Sequence, residues 1–168
     1  VMKHDENYRR LFSHRAMIEA LLTHYIDPML RRGLLLEEAT PQRAKFIDED
    51  RLSGEADGVW KIPHASGDDV YVCLLLEFQS STRMRRPMAF RVLRYSMFIW
   101  ETLLNAGVEA GRLPPIFPIV LYNGERAWGM ATDMQGLMFK QVRNMYTEYS
   151  AQVRYVLLDI SRLQARML

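Results

Sequence analysis

Two polar residues follow a long apolar run and have the spacing of a pair that could do chemistry together. Residues 70–76 are apolar, and Glu77 and Gln79 come next with Phe78 between them. Side chains alternate along a β-strand, so Glu77 and Gln79 would share one face while Phe78 packs on the other. A strand that is apolar on both faces belongs in the middle of a covered sheet. The pattern therefore predicts a central strand over residues 70–80 that presents a carboxylate and an amide near its end.

A second acid, Asp57, lies on the segment expected to pair with this strand. Residues 56–62 form a shorter predicted strand, and the linker 63–69 is dense in turn-forming residues, which predicts an antiparallel hairpin. A turn centred on Gly67 sets Asp57 directly opposite Glu77. The same register pairs apolar positions on the other face, namely Trp60 with Leu74 and Ile62 with Val72.

Two carboxylates in direct opposition would repel each other at a β-carbon separation of about 4.5–5.5 Å. A divalent cation would offset that repulsion, and Mg²⁺ prefers such oxygen ligands while keeping several waters. It lowers the pKa of a bound water and stabilises the negative charge that builds on a phosphodiester. The amide of Gln79 could orient water or a phosphate oxygen, and the carbonyl of Phe78 could complete a ligand set. The competing interpretation is a solvated acid at a strand end, with Asp57 and Gly58 in ordinary turn chemistry.

The elements that would position these residues alternate between helix and strand. Apolar side chains recur at three- and four-residue spacing over residues 5–31 and 87–105, which predicts helices there. Ser13 is the expected N-cap of the longer helix in the first segment, and Pro28 ends or kinks it. Strands are predicted at 116–122 and 154–160, a weaker helix at 133–151, and a loop with a short strand near Leu34 at 32–45. This order predicts one α/β domain with a mixed sheet over residues 1–168, either complete or as the N-terminal part of a longer protein.

Composition limits the classes of function. The net charge is only +2, and the single cysteine, Cys73, allows no intrachain disulfide, which fits a reducing compartment. The N-terminus is polar from its third residue, and the apolar runs are far shorter than the roughly 20 residues of a membrane span. We therefore expect a cytoplasmic protein without a membrane partner. The absence of a phosphate-binding glycine loop, a nucleophilic triad and a CxxC pair argues against nucleotide hydrolases, serine hydrolases and zinc modules.

Basic residues cluster after the predicted hairpin. Arg91, Arg94 and Tyr95 would share one face of the following helix, where guanidinium groups could hold DNA phosphates. Arg83 and Arg85 belong to the preceding loop and could touch the DNA backbone. The competing interpretation is a solvated helix face and loop, with Tyr95 as packing.

Several segments together resemble the Rpn/YhgA-like family of recombination-promoting nucleases, also described as transposases, within the PD-(D/E)XK nuclease superfamily. The matching pieces are His4-Asp5 followed by Tyr8, Leu11 and Phe12; Asp57-Gly58-Val59-Trp60; Leu74-Leu75-Leu76-Glu77-Phe78-Gln79-Ser80; Arg91-Val92-Leu93-Arg94-Tyr95; and Pro118-Ile119-Val120-Leu121-Tyr122-Asn123-Gly124. They span most of residues 4–124 in the family's order, which makes the set far more specific than any one piece.

The resemblance implies a restriction-endonuclease-like core, in which a central mixed sheet is flanked by helices. It also implies that Asp57 and Glu77 bind the metal and that Gln79 occupies the place of the superfamily's usual lysine. Lysine would supply a positive charge, whereas glutamine supplies only dipoles. The superfamily often adds an acid from the first helix, and either Glu19 or Asp5 could fill that role.

The function implied is that of a DNA endonuclease that depends on Mg²⁺, with Mn²⁺ as a possible substitute, and that acts in recombination or transposition. DNA is the expected partner, and a homo-oligomer is left open. The rival is a non-catalytic DNA-binding or protein-interaction domain that keeps the nuclease fold, because the missing lysine and the modest net charge leave room for it.

Overall fold

A central sheet of five strands organises the computed structural model, which describes residues 7, 10–42, 57–78, 86–160 and 162. The strand order is β1-β2-β3-β4-β5. The first three strands pair antiparallel, and β3, β4 and β5 pair parallel. The strands are β1 (Thr40–Pro41), β2 (Asp57–Pro63), β3 (Asp69–Glu77), β4 (Ile116–Tyr122) and β5 (Val156–Asp159). The predicted α/β class with a mixed sheet is confirmed, and the architecture is consistent with a restriction-endonuclease-like core.

Two longer helices cover the two faces of this sheet. The α-helices are α1 (Arg15–Tyr25), α2 (Pro28–Arg31), α3 (Met88–Asn105) and α4 (Arg143–Tyr146), with short 3₁₀ turns at Leu36–Glu38, Ala110–Arg112, Gln135–Leu137 and Thr147–Tyr149. The prediction for α3 is confirmed, because Pro87 is its N-cap and Gly107 follows its end with a positive φ of 98°. No helix within the described ranges is long and apolar enough to cross a membrane.

The N-terminal helix differs from its prediction at both ends. Helix α1 is capped by the backbone of His14 rather than by Ser13, whose hydroxyl instead donates to the carbonyl oxygen of Arg10 at 2.7 Å. The chain turns at Ile26, and a separate short helix begins at Pro28, where the side chain of Asp27 accepts from the Met29 N–H. Pro28 thus starts a new helix, as its fixed φ at a first helical position favours.

One predicted element is shorter than its segment, and another is misplaced. The weak helix predicted within 133–151 is present only as the four residues of α4, between two short 3₁₀ turns. The Asp133 carboxylate accepts from the Gly136 N–H, a local bond that competes with helical pairing at this point. Leu34 makes only an isolated bridge to His64, and the short strand lies further along at Thr40–Pro41.

The central strand β3 separates two apolar cores. Leu74 and Leu76 point to the core that includes Ile18 and Leu22 of α1. Cys73 and Leu75 point to the core formed with α3 and with the aromatic residue Tyr155. Alternation along one strand therefore assigns each β3 residue to one helix layer or the other. Cys73 is a buried thiol on the α3 side of the strand.

The hairpin is antiparallel as predicted, but its register was wrong by two residues. Asp57 pairs with Leu75 rather than with Glu77. The two apolar pairs move by the same amount: Trp60 lies opposite Val72, and Ile62 lies opposite Val70. The reason is the turn, in which the His64 N–H donates to Asp68 and only three residues form the loop. Gly67, with φ 93°, takes the third loop position, where a left-handed residue is favoured, and not the centre.

Candidate active site

Glu77 is a buried carboxylate at the last position of β3. Only 2% of the residue is exposed, after a run of apolar neighbours that fills the middle of the sheet. Its backbone pairs in register with Tyr122 of β4, and its carbonyl oxygen accepts from the Asn123 N–H at 3.0 Å. These contacts hold the C-terminal ends of β3 and β4 side by side. Phe78 packs against the opposite core, as the alternation predicted.

The partner of this carboxylate is Arg91 of helix α3. Arg91 Nη1 lies 3.2 Å from Glu77 Oε2, and the two side chains are 8% and 3% exposed. The sequence suggested that Arg91 either holds DNA phosphates or lies on a solvated helix face. The structure instead places it within the α3 core, beside residues that are fully buried.

Burial and a neighbouring phenol set the electrostatics of Arg91. Removal from water lowers the pKa of its guanidinium, while the charge interaction and hydrogen bond with Tyr95 raise that pKa again. A guanidinium keeps its proton through the physiological range, so Arg91 and Glu77 form an ion pair in a dry environment. Such an environment strengthens the attraction between the two groups relative to water.

Asp57 begins the neighbouring strand β2, diagonally across from Glu77 in the pairing pattern. It lies opposite Leu75, which is two residues before Glu77 on β3. Its backbone is described, and its side chain is not. The candidates Gln79, Asp5, Arg83 and Arg85 lie outside the described residues. Within the described ranges, no group of three or more His, Cys, Asp or Glu side chains is arranged to hold a metal ion.

Glu19 is on a helix that covers the face of the sheet opposite to Glu77. Its helix α1 packs on the sheet face that carries Leu74 and Leu76, whereas Glu77 points to the α3 face. Glu19 also pairs with Arg15 at 3.0 Å on the helix surface. The structure does not bring Glu19 together with Glu77.

Arg94 is the cation that follows Arg91 by one helical turn. It is half-buried, and its Nη1 atom is enclosed without a hydrogen-bond partner in the described part of the chain. A buried donor left unmet costs about 1–3 kcal/mol. Arg94 therefore holds a donor that an incoming acceptor could satisfy, while the donor of Arg91 is already engaged by Glu77.

An aromatic group borders Glu77 on the β4 side. Tyr122 is fully buried, and its hydroxyl donates to the Arg126 carbonyl at 2.6 Å. Trp128 packs edge-on against the Tyr122 ring with centroids 4.9 Å apart. A side chain at position 124 would clash with Tyr122, because a β-carbon there would overlap the hydroxyl and the ring of that residue. Gly124 thus allows the chain to fold tightly over Tyr122.

The spacing of apolar residues along α3 indicates that Arg91 is buried, and an interpretation by residue type alone misses this. Arg91 lies three residues after Met88 and four before Tyr95, both of which are buried. Helical periodicity alone therefore places Arg91 on the apolar stripe of α3. A cation at such a position requires an anion, and Glu77 is the buried carboxylate on the strand that α3 covers.

Comparison with known proteins identifies a family for the whole chain. The model of the family described as "putative transposase, YhgA-like" matches residues 2–168. No curated protein and no solved structure matches the chain. The family model covers almost all of the sequence and agrees with the resemblance carried by the Asp57, Glu77 and Arg91 segments. The chain belongs to the YhgA-like family of putative transposases.

Proposed function

We propose that this chain is a Mg²⁺-dependent DNA endonuclease that acts in recombination or transposition. The observation that carries the proposal is Glu77, a carboxylate that is 2% exposed at the end of a central strand, in a chain of a transposase family. Burying a charge is costly unless something compensates for it. Buried ionisable groups of this kind are concentrated at functional sites, which favours a catalytic role for Glu77.

The residues present suit a hard cation. Glu77 would supply a carboxylate ligand, and the next residue, Phe78, would supply its backbone carbonyl. Asp57 lies on β2 at the position diagonal to Glu77. Diagonal neighbours across an antiparallel pair lie about 7–8 Å apart, a span that two carboxylates can bridge by sharing one ion. The ion would supply the charge that stabilises a phosphodiester during its hydrolysis. Mn²⁺ could take its place, because it prefers the same oxygen ligands.

The other residues would bind and orient the DNA. Arg94 has a buried guanidinium nitrogen without a partner among the described residues, and a phosphate oxygen would satisfy that donor. Gln79 follows Glu77 by two positions, and its amide would orient a water or a phosphate oxygen. Arg83 and Arg85 would contact the DNA backbone. Asp5 is the remaining candidate for an added acid, since Glu19 is on the helix of the opposite face.

Nicking of supercoiled plasmid DNA tests this proposal. The protein should nick the plasmid with Mg²⁺ or Mn²⁺ and lose that activity in a chelator. Asp57→Asn and Glu77→Gln should each reduce nicking at least a hundredfold. Asp69→Asn is the matched control, because Asp69 is at the other end of the same strand and pairs with Lys61 on the surface. Metal-dependent nicking that survives both site substitutions would reject the assignment of the site.

One observation favours the rival, a DNA-binding or protein-interaction domain without catalysis. Glu77 already has a cationic partner in Arg91, so its charge is balanced without a metal. Titration calorimetry with Mg²⁺ and Mn²⁺ separates the two functions, since a domain without catalysis has no need of metal affinity. DNA binding without metal binding or nicking would support the rival.

A further inference from the structure

The ion pair of Glu77 with Arg91 connects the candidate metal site to the core of helix α3. Arg91 is 7% exposed, and its neighbours Met88, Ala89 and Val92 are fully buried. The helix backbone that carries the guanidinium is therefore held by close packing on several sides. From this fixed position Nη1 reaches Glu77 Oε2 at 3.2 Å. A second hydrogen bond, to Tyr95, restrains the same guanidinium.

We infer that Arg91 is a positioning residue for Glu77, which holds this carboxylate in the orientation that a divalent cation would need. The inference rests on the proposed function and assigns Arg91 a role other than contact with DNA. A carboxylate has two oxygens and about four sites at which it can accept, so it can bind a guanidinium and a cation together. Arg91 would act on the metal only through Glu77.

The burial of the pair supports this role. The close packing around Arg91 leaves its guanidinium little freedom to move. The ion pair therefore fixes the direction in which the Glu77 carboxylate points. Groups that orient metal ligands from outside the ligand set usually affect metal affinity or activity by about 10–100-fold. Glu77 and Arg91 have the placement that such an arrangement requires.

The contrast with Arg94 supports the same assignment. Arg94 is half-buried, and one of its donors is enclosed without a partner in the described ranges. Arg91 is almost fully enclosed, and its donor is used within the protein. A phosphate on a large duplex would reach Arg91 only if the Glu77 ion pair opened. The two arginines of one helix thus have separable roles.

The test compares Arg91→Met and Arg91→Lys with the surface control Arg15→Met in the full chain. Mg²⁺ affinity is measured by calorimetry without DNA, and DNA affinity is measured in a chelator. Arg91→Met should weaken Mg²⁺ binding roughly tenfold or more and leave DNA affinity within about twofold. Arg91→Lys retains the charge and should recover part of the metal affinity. If Arg91→Met does not fold, Arg91→Lys still tests the inference, because the Mg²⁺ affinity of Arg91→Lys should lie below that of the unsubstituted protein.

Three results would overturn the inference. Unchanged Mg²⁺ affinity with weakened DNA binding and a smaller salt dependence would make Arg91 a phosphate contact. Stronger Mg²⁺ binding in Arg91→Met would make the guanidinium a competitor for the carboxylate, as the loss of one nearby positive charge alone would predict. Absence of Mg²⁺ binding and nicking in the unsubstituted protein would instead reject the proposed function, and with it the role of Arg91. If the unsubstituted protein is active but its Arg91 variants bind Mg²⁺ normally, only the inference about Arg91 fails and the proposed function stands.

Discussion

The two faces of the central sheet bury different kinds of residue. The α1 face encloses an apolar cluster built around residues such as Ile18, Leu22 and Trp60. The α3 face encloses a cluster of similar size, but the polar and charged residues that are buried in the described ranges, Glu77, Arg91 and Ser96, all lie on this side or on α3 itself. Side chains alternate along β3, so the adjacent residues Leu76 and Glu77 point to opposite faces of the sheet. Among the described residues, the buried charged pair of the candidate site thus lies on one face, and the core of the other face is apolar.

Removal of one member of the buried ion pair should have the largest effect on stability. Glu77→Leu leaves Arg91 charged and unpaired in the α3 core, which we expect to lower the free energy of unfolding by about 3–5 kcal/mol. Urea unfolding followed by circular dichroism measures the loss. The double variant Glu77→Leu with Arg91→Met should recover most of it, because well-packed apolar residues replace buried ion pairs at little or no cost. A double variant as unstable as the single one would show that the pair is not the cause.

The α1 face should respond to truncation without any such coupling. Leu22 is fully buried, and Leu22→Ala should cost about 2–5 kcal/mol through lost apolar contact and a cavity. Its effect should add to that of Glu77→Leu within about 0.5 kcal/mol, since the two side chains lie on opposite sides of the sheet. Strong non-additivity in urea unfolding would mean that the two faces do not act independently.

Alkaline pH should also destabilise the α3 face selectively. Burial raises the pKa of Tyr155 from 10.0 to about 12, and burial also raises the pKa of Tyr71. Both phenols belong to the α3 cluster. Because the folded pKa lies above the unfolded one, the stabilisation from Tyr155 is complete below pH 10 and is lost as pH rises towards 12. The loss should be roughly 1.4 kcal/mol per pH unit over that window.

Denaturant unfolding at pH 9, 10 and 11 checks this expectation. Tyr155→Phe should flatten the decline, whereas Tyr149→Phe, which changes a residue that is 86% exposed, should leave it unchanged. The Phe variant should start from a lower stability, since it loses the hydrogen bond to the Ala131 carbonyl. An equally steep decline in Tyr155→Phe would assign the pH dependence to another group.

Crowding at Tyr122 should give a smaller effect. Gly124→Ala places a methyl group against the Tyr122 ring and should cost about 1–3 kcal/mol, as extra atoms in a packed site usually do. The double variant Gly124→Ala with Tyr122→Phe lacks the clashing hydroxyl and should recover part of that loss. Gly111→Ala is the control, because a β-carbon there meets no atom within 4 Å. Thermal unfolding of the four proteins measures the difference.

The smallest effect is expected at the surface of α1. Glu19→Gln breaks an ion pair with Arg15 whose two side chains are 35% and 58% exposed, and such pairs contribute about 0.5 kcal/mol or less. Plasmid nicking should be unchanged, because this helix covers the face opposite to Glu77. A large loss of nicking in Glu19→Gln would place the helix acid in the active site after all.

The sequence predicted the elements of the sheet better than their alignment. The strand Ile116–Tyr122 and the helix after Pro87 were predicted closely, since apolar periodicity and proline or glycine boundaries are local signals. The hairpin register was wrong, because it depends on which loop position takes the left-handed glycine, and the residue types around Gly67 permit more than one turn. The region 133–151 carries local side-chain bonds, such as Asp133 to Gly136, that no helical pattern reveals.

The sequence singled out the acids of the candidate site but not the buried arginine that pairs with Glu77. Glu77 is recognisable because a charge at the end of an apolar strand is unusual. Asp57 was reached through the hairpin register, which was wrong by two residues, and through the resemblance. Arg91 was interpreted by residue type, as a phosphate contact, and its position on the buried stripe was not used. Which anion a buried arginine meets depends on how helix α3 lies across β3, and a single sequence does not contain that information.

The order in which the strands pair has a consequence for when the site is formed. Strand β3 meets β2 across a loop of three residues, whereas it meets β4 through pairs such as Tyr71 with Ile116, about 45 positions apart. Local pairing forms quickly, and closing the longer connection is slower. The strands of Asp57 and Glu77 can therefore associate early, while Glu77 stays in water until Tyr122 is in place beside it. A chain interrupted before β4 would carry both acids but lack the strand that pairs with Glu77.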